Sequence, residues 1–304
     1  MNTDYSEVDV PDQSGRTFLV TGANTGIGWD ASRVLASRNA RVLLGCRSQE
    51  RAEDAINRIR AVNGDSDVAW VPLDLASLAS VRSAAEKVAA EPRLDVLINN
   101  AGIMMPPLGR TADGVESQFG VNHLGHFALT GLLLEKLNEQ DGARIVTVSS
   151  HAHRNGRMQW DDINAERGYT SGARYGMSKL ANLLFTFELQ RRLESAGARA
   201  ISVACHPGAT DTNLGQHLPD AFNLWIKPII RPFLNASAEG ALPTLMAATG
   251  TDVVGGEYFG PKGFMEMTRS AKRVQPAANA NSAEDARRLW DLSVEMTGVE
   301  PVFD

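Results

Sequence analysis

FLVTGANTGIGWDASRVLASR, residues 18–38, decides the fold. A short apolar run ends in a turn whose glycines fall at Gly22, Gly26 and Gly28, and an amphipathic helical pattern follows. Strand, glycine turn and helix in that order make the opening of a βαβ unit. Each glycine has a job there: a tight turn, close approach of backbone to a pyrophosphate, and packing of helix on strand. A helix starting near Gly28 aims unpaired N–H groups and the positive end of its dipole at the phosphates. Asn24 and Ile27 belong to the same cradle. The G-x-x-x-G-x-G spacing differs from the commoner G-x-G-x-x-G, and a glycine turn alone can simply join two elements. At the first strand-to-helix junction of an alternating chain, it predicts dinucleotide binding. Trp29, directly after Gly28, is a bulky choice for such a helix and reads as packing.

Outward from this stretch the chain alternates. Strand candidates lie at 17–21, 41–45, 68–72, 96–99, 144–149 and 200–204, with a weaker one at 257–259. Helical patterns fill 29–38, 48–62, 77–90, 116–138, 175–196 and 238–249. Strands that are apolar throughout, each followed by a helix, indicate parallel strands buried on both faces. The expected architecture is therefore α/β, a Rossmann-type doubly wound parallel sheet of about seven strands in a single domain over residues 15–304, after an N-terminal extension, 1–14. Ligands then sit outside the carboxyl ends of the strands.

The chain has 304 residues, 43% of them hydrophobic, and a net charge of −6. No basic excess or stripe offers a nucleic-acid surface, so the expected partner is a small molecule. Cys46 and Cys205 lie far apart in apolar stretches and suggest neither a metal site nor a disulfide framework. The N-terminus carries acids early, and no apolar run approaches the roughly 18 residues of a membrane helix. The expectation is a cytoplasmic protein without an integral membrane segment.

The second strand selects the dinucleotide. An NAD site wants a carboxylate at that strand's end, but here Gly45-Cys46-Arg47 supplies a guanidinium. Arg47 can hold a 2′-phosphate through a charge-assisted fork and stack on adenine. NADP(H) is thus preferred, with NAD(H) the alternative. Asp74 and Leu75 end the third strand, where the carboxylate could meet the adenine amino group. Asn99, Ala101 and Gly102 at the end of the fourth let a cofactor lie across the sheet.

YGMSKLAN, residues 175–182, places Tyr175 and Lys179 one helical turn apart on one face. By spacing alone these read as two amphipathic surface side chains. With TGANTGIG at 21–28, NNAG at 99–102, Asn122 in VNHLGHF, Ser150 after IVTVS and HPGATDT at 206–212, the pair resembles the short-chain dehydrogenases/reductases over residues 15–260. VNHLGHF, HAHR and YxxSKLAN are similar to the branch holding retinol dehydrogenases, protochlorophyllide reductases and the WW-domain oxidoreductase. The resemblance implies that Tyr175 is the general acid/base and that Lys179 lowers its pKa and holds the nicotinamide ribose. It implies that Ser150 orients the substrate oxygen and Asn122 holds a relay water. Pro207, Gly208, Thr210 and Thr212 would clasp the carboxamide and pyrophosphate. Ser150 is chosen over Ser149 because the second serine matches the family pattern and alternation lets only one face the site. The histidines, in contrast, show no metal-binding spacing.

Residues 151–174 separate Ser150 from Tyr175 and are expected to form a flap, with Trp160 a lid contact or a packing residue. A substrate lid is expected at 211–237, where Phe222, Leu224, Trp225, Ile226, Ile229, Ile230 and Phe233 are too apolar for a solvated loop. The function expected is hydride transfer between NADP(H) and a lipophilic carbonyl or alcohol. The alternatives are double-bond reduction of the protochlorophyllide or quinone kind on the same scaffold, and a non-catalytic NADP(H)-sensing binding protein. The long helices at 116–138 and 175–196 commonly form subunit contacts in this family, which implies a homodimer or homotetramer.

Overall fold

The computed structural model of the chain describes residues 4–208, 236–263, 266–267 and 270–303. Its strands are β1 Thr17–Thr21, β2 Arg41–Cys46, β3 Val68–Pro72, β4 Val96–Asn99, β5 Arg144–Val148, β6 Ile201–Cys205, β7 Tyr258–Pro261 and β8 Ala271–Arg273. They form one sheet in the order β3-β2-β1-β4-β5-β6-β7-β8. Neighbours from β3 to β7 pair parallel, and β8 returns antiparallel to β7. The eighth strand was not anticipated. Three residues, Ala-Lys-Arg, carry no alternation to read, and pairing with β7 alone makes them a strand.

Alternation within each strand splits the core into two layers. Phe18, Val20, Val42, Leu44, Val96 and Ile98 point into one, together with α1 Gly26–Ser37 and α6 Ser237–Thr249. Leu19, Leu43, Leu97 and Ile145 point into the other, facing α3 Leu78–Ala89, α4 Gly125–Asn138 and α5 Ser171–Ala196. The second helix, α2 Gln49–Asn63, is capped by Ser48, whose hydroxyl accepts from Arg51 N–H.

Two helical expectations change. The pattern read as one helix over 116–138 is a short turn, Ser117–Phe119, then a wide π-helical turn, Gly120–Leu124, before α4. The helix leading to the tyrosine begins at Ser171, four residues earlier than expected. A further helix, α7 Ala283–Thr297, packs across α4 and α5. Its Trp290 is buried, 5.1 Å from the Phe127 ring and 6.1 Å from that of Phe185. The helix faces expected to meet another subunit are here covered in part by the chain's own C-terminal helix.

Strand order reverses between β1 and β4, which leaves a crevice above their carboxyl ends. The glycine turn follows β1 and the NNAG turn follows β4, so both line it.

Candidate active site

At the crevice, Gly22 and Gly26 have φ of +66° and +56°, the left-handed region that favours glycine. A Cβ on Gly28 would stand 2.5 Å from Asn100 Nδ2 and 2.6 Å from Gly22 O, so only glycine closes this turn. Asn24 and Ile27 are half-buried beside it. The turn is riveted to NNAG by Thr21, whose hydroxyl accepts from the N–H groups of Asn100 and Ala101, each at 2.9 Å. Asn100 Nδ2 donates back to Thr21 O at 2.7 Å. Asn99, by contrast, is fully buried, and its amide donates to Thr130 Oγ1 on α4. At that position a cofactor can meet only main chain.

His126 completes the rivet. Its Nδ1 lies 3.0 Å from Asn122 O and its Nε2 2.9 Å from Thr21 Oγ1. A carbonyl only accepts, so the imidazole proton sits on Nδ1 and Nε2 accepts a hydrogen bond from the Thr21 hydroxyl. Burial, aided by the charge of Lys179, pushes the imidazole down to about 4 and keeps it neutral. From the sequence Thr21 has no such role and His126 is only one of the histidines without metal-binding spacing, although VNHLGHF, with its polar residue one turn past Asn122, carries the signal.

The serine pair divides as alternation requires. Ser149 is buried and donates to the Lys179 carbonyl at 2.8 Å, whereas Ser150 is half-buried at the start of the next turn. Tyr175 is half-buried opposite it. Burial raises the phenol pKa, and hydrogen bonding with Ser150 draws it part of the way back. The net shift is upward, opposite to the effect expected of the ammonium alone. Lys179 Nζ lies 5.9 Å from the Tyr175 ring centre and donates to Val148 O at 3.0 Å. Burial pushes this ammonium down to about 8.

Asn122 sits in the π turn, a feature that often marks functional sites. Its side chain is occupied: Oδ1 accepts from Ile103 N–H, and Nδ2 donates to Ile103 O and Ser178 Oγ. Gly102 leaves room in front of the lysine, because a Cβ there would approach Asn122 Oδ1 to 3.2 Å and Lys179 Nζ to 3.4 Å. A cradle of glycines that opens onto Ser150, Tyr175 and Lys179 fits a flat dinucleotide laid across the strand ends.

Past the ends of β2 and β3, Arg47 is exposed and 3.8 Å from the Asp74 carboxylate. Asp74 Oδ1 accepts from Ala76 N–H, while Leu75 is buried and backs the turn. Beyond β6, Gly208 has φ +73°, and a Cβ there would strike Met267 O at 2.4 Å. Pro207 is half-buried next to it. Thr210, Thr212 and the lid up to residue 235 lie outside the described residues.

The segment between Ser150 and Tyr175 is packed down rather than loose. Arg174, buried although charged, donates to the carbonyls of Ile163 and Gly168 and pairs with Asp162 at 2.8 Å. Trp160 packs under the Arg288 guanidinium of α7, 4.4 Å away, which makes it a packing residue. His151, His206 and Glu266 bring ligand atoms within 4.8 Å of one another. Yet His151 Nε2 faces the Glu266 carbonyl. Gly208 N–H donates to His206 Nδ1, which leaves the His206 proton on Nε2, toward the carboxylate. With Arg154 also on that carboxylate at 2.9 Å, the three residues and Arg154 form a hydrogen-bonded latch behind the Gly208 turn.

The sequence profile of the short chain dehydrogenase family matches residues 16–222. Retinol dehydrogenase 12 of Mus musculus is 41% identical over 97% of this chain and 89% of its own length. Retinol dehydrogenase 14 of Homo sapiens is 42% identical over 94% of this chain and 87% of its own. Among solved structures, an uncharacterized protein from Mycobacterium paratuberculosis superposes with a TM-score of 0.83 at 40% identity, covering 99% of this chain and 100% of that one. The NADP complex of Pseudomonas aeruginosa RhlG gives 0.63 at 26%, covering 81% and 94%. No helix among the described residues is long and apolar enough to cross a membrane. With the glycine cradle, the serine and the tyrosine–lysine pair on one crevice, this chain belongs to the short-chain dehydrogenase/reductase family, in its retinol dehydrogenase branch, and is an oxidoreductase acting on alcohol or carbonyl groups.

Proposed function

We propose that the protein reduces lipophilic carbonyl compounds with NADPH, Tyr175 giving the proton. The observation that carries this reading is the convergence of Ser150 on the Tyr175 phenol while Ser149 is turned into α5. A bound nicotinamide would supply the hydride. Ser150 then holds the substrate oxygen, and Tyr175 delivers a proton to it as negative charge develops. A phenol raised above its ordinary pKa is protonated at neutral pH, the state a reduction requires of its acid. Lys179, close to half-neutral near pH 8, would hold the nicotinamide ribose and stabilise the phenolate left behind. Asn122 keeps the 102–103 turn at its spacing from Lys179 through the Ile103 bonds, with its π turn as the route for a relay water.

The exposed guanidinium of Arg47 supports NADP(H) over NAD(H). Its partner Asp74 is at 3.8 Å and partly solvated, a weak bond that a phosphate dianion displaces. The apolar side chains at 222–233 and the retinol dehydrogenase relatives support a lipophilic substrate. The test is NADPH consumption with aldehydes and ketones of graded chain length. Rates should climb with chain length; flat rates remove the lipophilic part, and no turnover of any carbonyl or alcohol removes the reading.

A further inference from the structure

We propose that Arg58, held by Trp29, is a second cation of the adenosine-phosphate site and sets the preference for 2′-phosphorylated dinucleotides together with Arg47. This rests on the NADP(H) reading above and extends it to residues that reading leaves unused. Trp29 lies in the first turn of α1, one residue past Gly28. Its indole N–H donates to Ala55 O on α2 at 3.2 Å, which fixes the ring between the two helices. Three residues further along α2, the Arg58 guanidinium lies 4.6 Å from that ring centre and donates from Nη2 to Asn24 O at 2.9 Å. Asn24 belongs to the glycine turn itself. A helix-surface arginine ordinarily ranges through solvent, but this one is pinned by an aromatic face and a carbonyl at the edge of the phosphate cradle.

The guanidinium is also in position to bind. Its side chain is 44% exposed, and its ion pair with Asp54 joins Nε to a carboxylate that is itself 68% exposed. Of five N–H donors in the fork, the bonds to Asn24 and Asp54 use two, leaving an edge for phosphate oxygens. A dinucleotide with its pyrophosphate on the glycine turn would present its ribose 2′ position toward the end of β2, within the span of these two elements. Arg47 stands at the end of β2 and Arg58 at the glycine turn. Trp29 thus acts as a support that holds a charge in place.

The test is to titrate NADPH and NADH by nicotinamide fluorescence against the wild type, Arg47→Ala, Arg58→Ala and Trp29→Leu. Adenosine 2′,5′-bisphosphate and 5′-AMP serve as competitors, and thermal unfolding runs alongside. Arg58→Ala should weaken NADPH and the bisphosphate about tenfold and NADH and 5′-AMP less than about twofold. Trp29→Leu should lose part of the same selectivity, since Arg58 would then be released. NADH binding is the internal check on folding. If Arg58→Ala weakens both dinucleotides alike, or neither, while Arg47→Ala abolishes the preference, the inference falls and the NADP(H) reading stands. If the wild type binds both dinucleotides equally, the reading falls and the inference with it.

Discussion

Replacing Lys179 with methionine should make the protein more stable while it ruins catalysis. Lys179 is 4% exposed, and burial lowers its ammonium from 10.5 to about 8. At about 1.36 kcal/mol per pH unit, holding that charge in the fold disfavours it by about 3 kcal/mol relative to the neutral amine. Methionine keeps the shape and removes the charge. The Val148 carbonyl that Lys179 bonds also accepts from Asn182 Nδ2 at 3.1 Å, so the substitution leaves no orphaned acceptor. With the lost hydrogen bond subtracted, the variant should gain about 1–3 kcal/mol at pH 7. The sign with pH follows from the depressed folded-state value. Below pH 8 the lysine is charged in both folded and unfolded chains and the penalty is full. Between 8 and 10.5 the unfolded chain binds more protons, so wild-type stability rises and the gap to the variant closes. Urea unfolding of both proteins from pH 7 to pH 10.5 reads this directly. A variant less stable than wild type at pH 7, or a gap that does not narrow as pH rises, would refute the reasoning.

Other outcomes follow from the same contacts. Ser150→Ala should lower turnover about 10²-fold, whereas Ser149→Ala should leave it nearly unchanged and lose about 1 kcal/mol of stability through its bond to Lys179 O; kinetics and denaturation on both variants separate the two. Arg174→Leu should destabilise by about 1–3 kcal/mol, because the carbonyls of Asp162, Ile163 and Gly168 lose a buried donor, and proteolysis should then cut within 157–170. Trp290→Ala should destabilise by about 3–5 kcal/mol by opening a void between Phe127 and Phe185. Since α7 covers part of that face and buries Trp290 against it, sedimentation of the wild type should give a monomer, against the dimer or tetramer that the family resemblance implies.

The sheet was legible because its strands are uniformly apolar and short. β1, β3 and β4 fall at the expected residues, and β2, β5 and β6 within one. Ser150 over Ser149 was legible for the same reason, since alternation permits only one to leave the core. What escaped depended on partners distant in sequence. The π turn at Gly120–Leu124 leaves the apolar pattern intact, and Gly125 begins α4 where a Cβ would meet Leu75 O at 2.7 Å. The upward shift of the Tyr175 phenol depends on burial, which spacing on one helix cannot supply. Helix α7 did carry a signal: a Ser282 cap and buried Ala286, Leu289, Trp290, Ser293 and Thr297 at helical intervals. Trp29 read as packing because its meaning lies with Arg58, on another helix.

The central claim, a phenol that hands its proton to the substrate oxygen, is tested most directly by Tyr175→Phe with turnover and NADPH affinity measured on one preparation. Turnover should fall by about 10²–10⁴-fold while the dissociation constant moves by less than about twofold. Turnover kept within about tenfold of wild type, or a loss matched by an equal loss of cofactor affinity, would contradict the account.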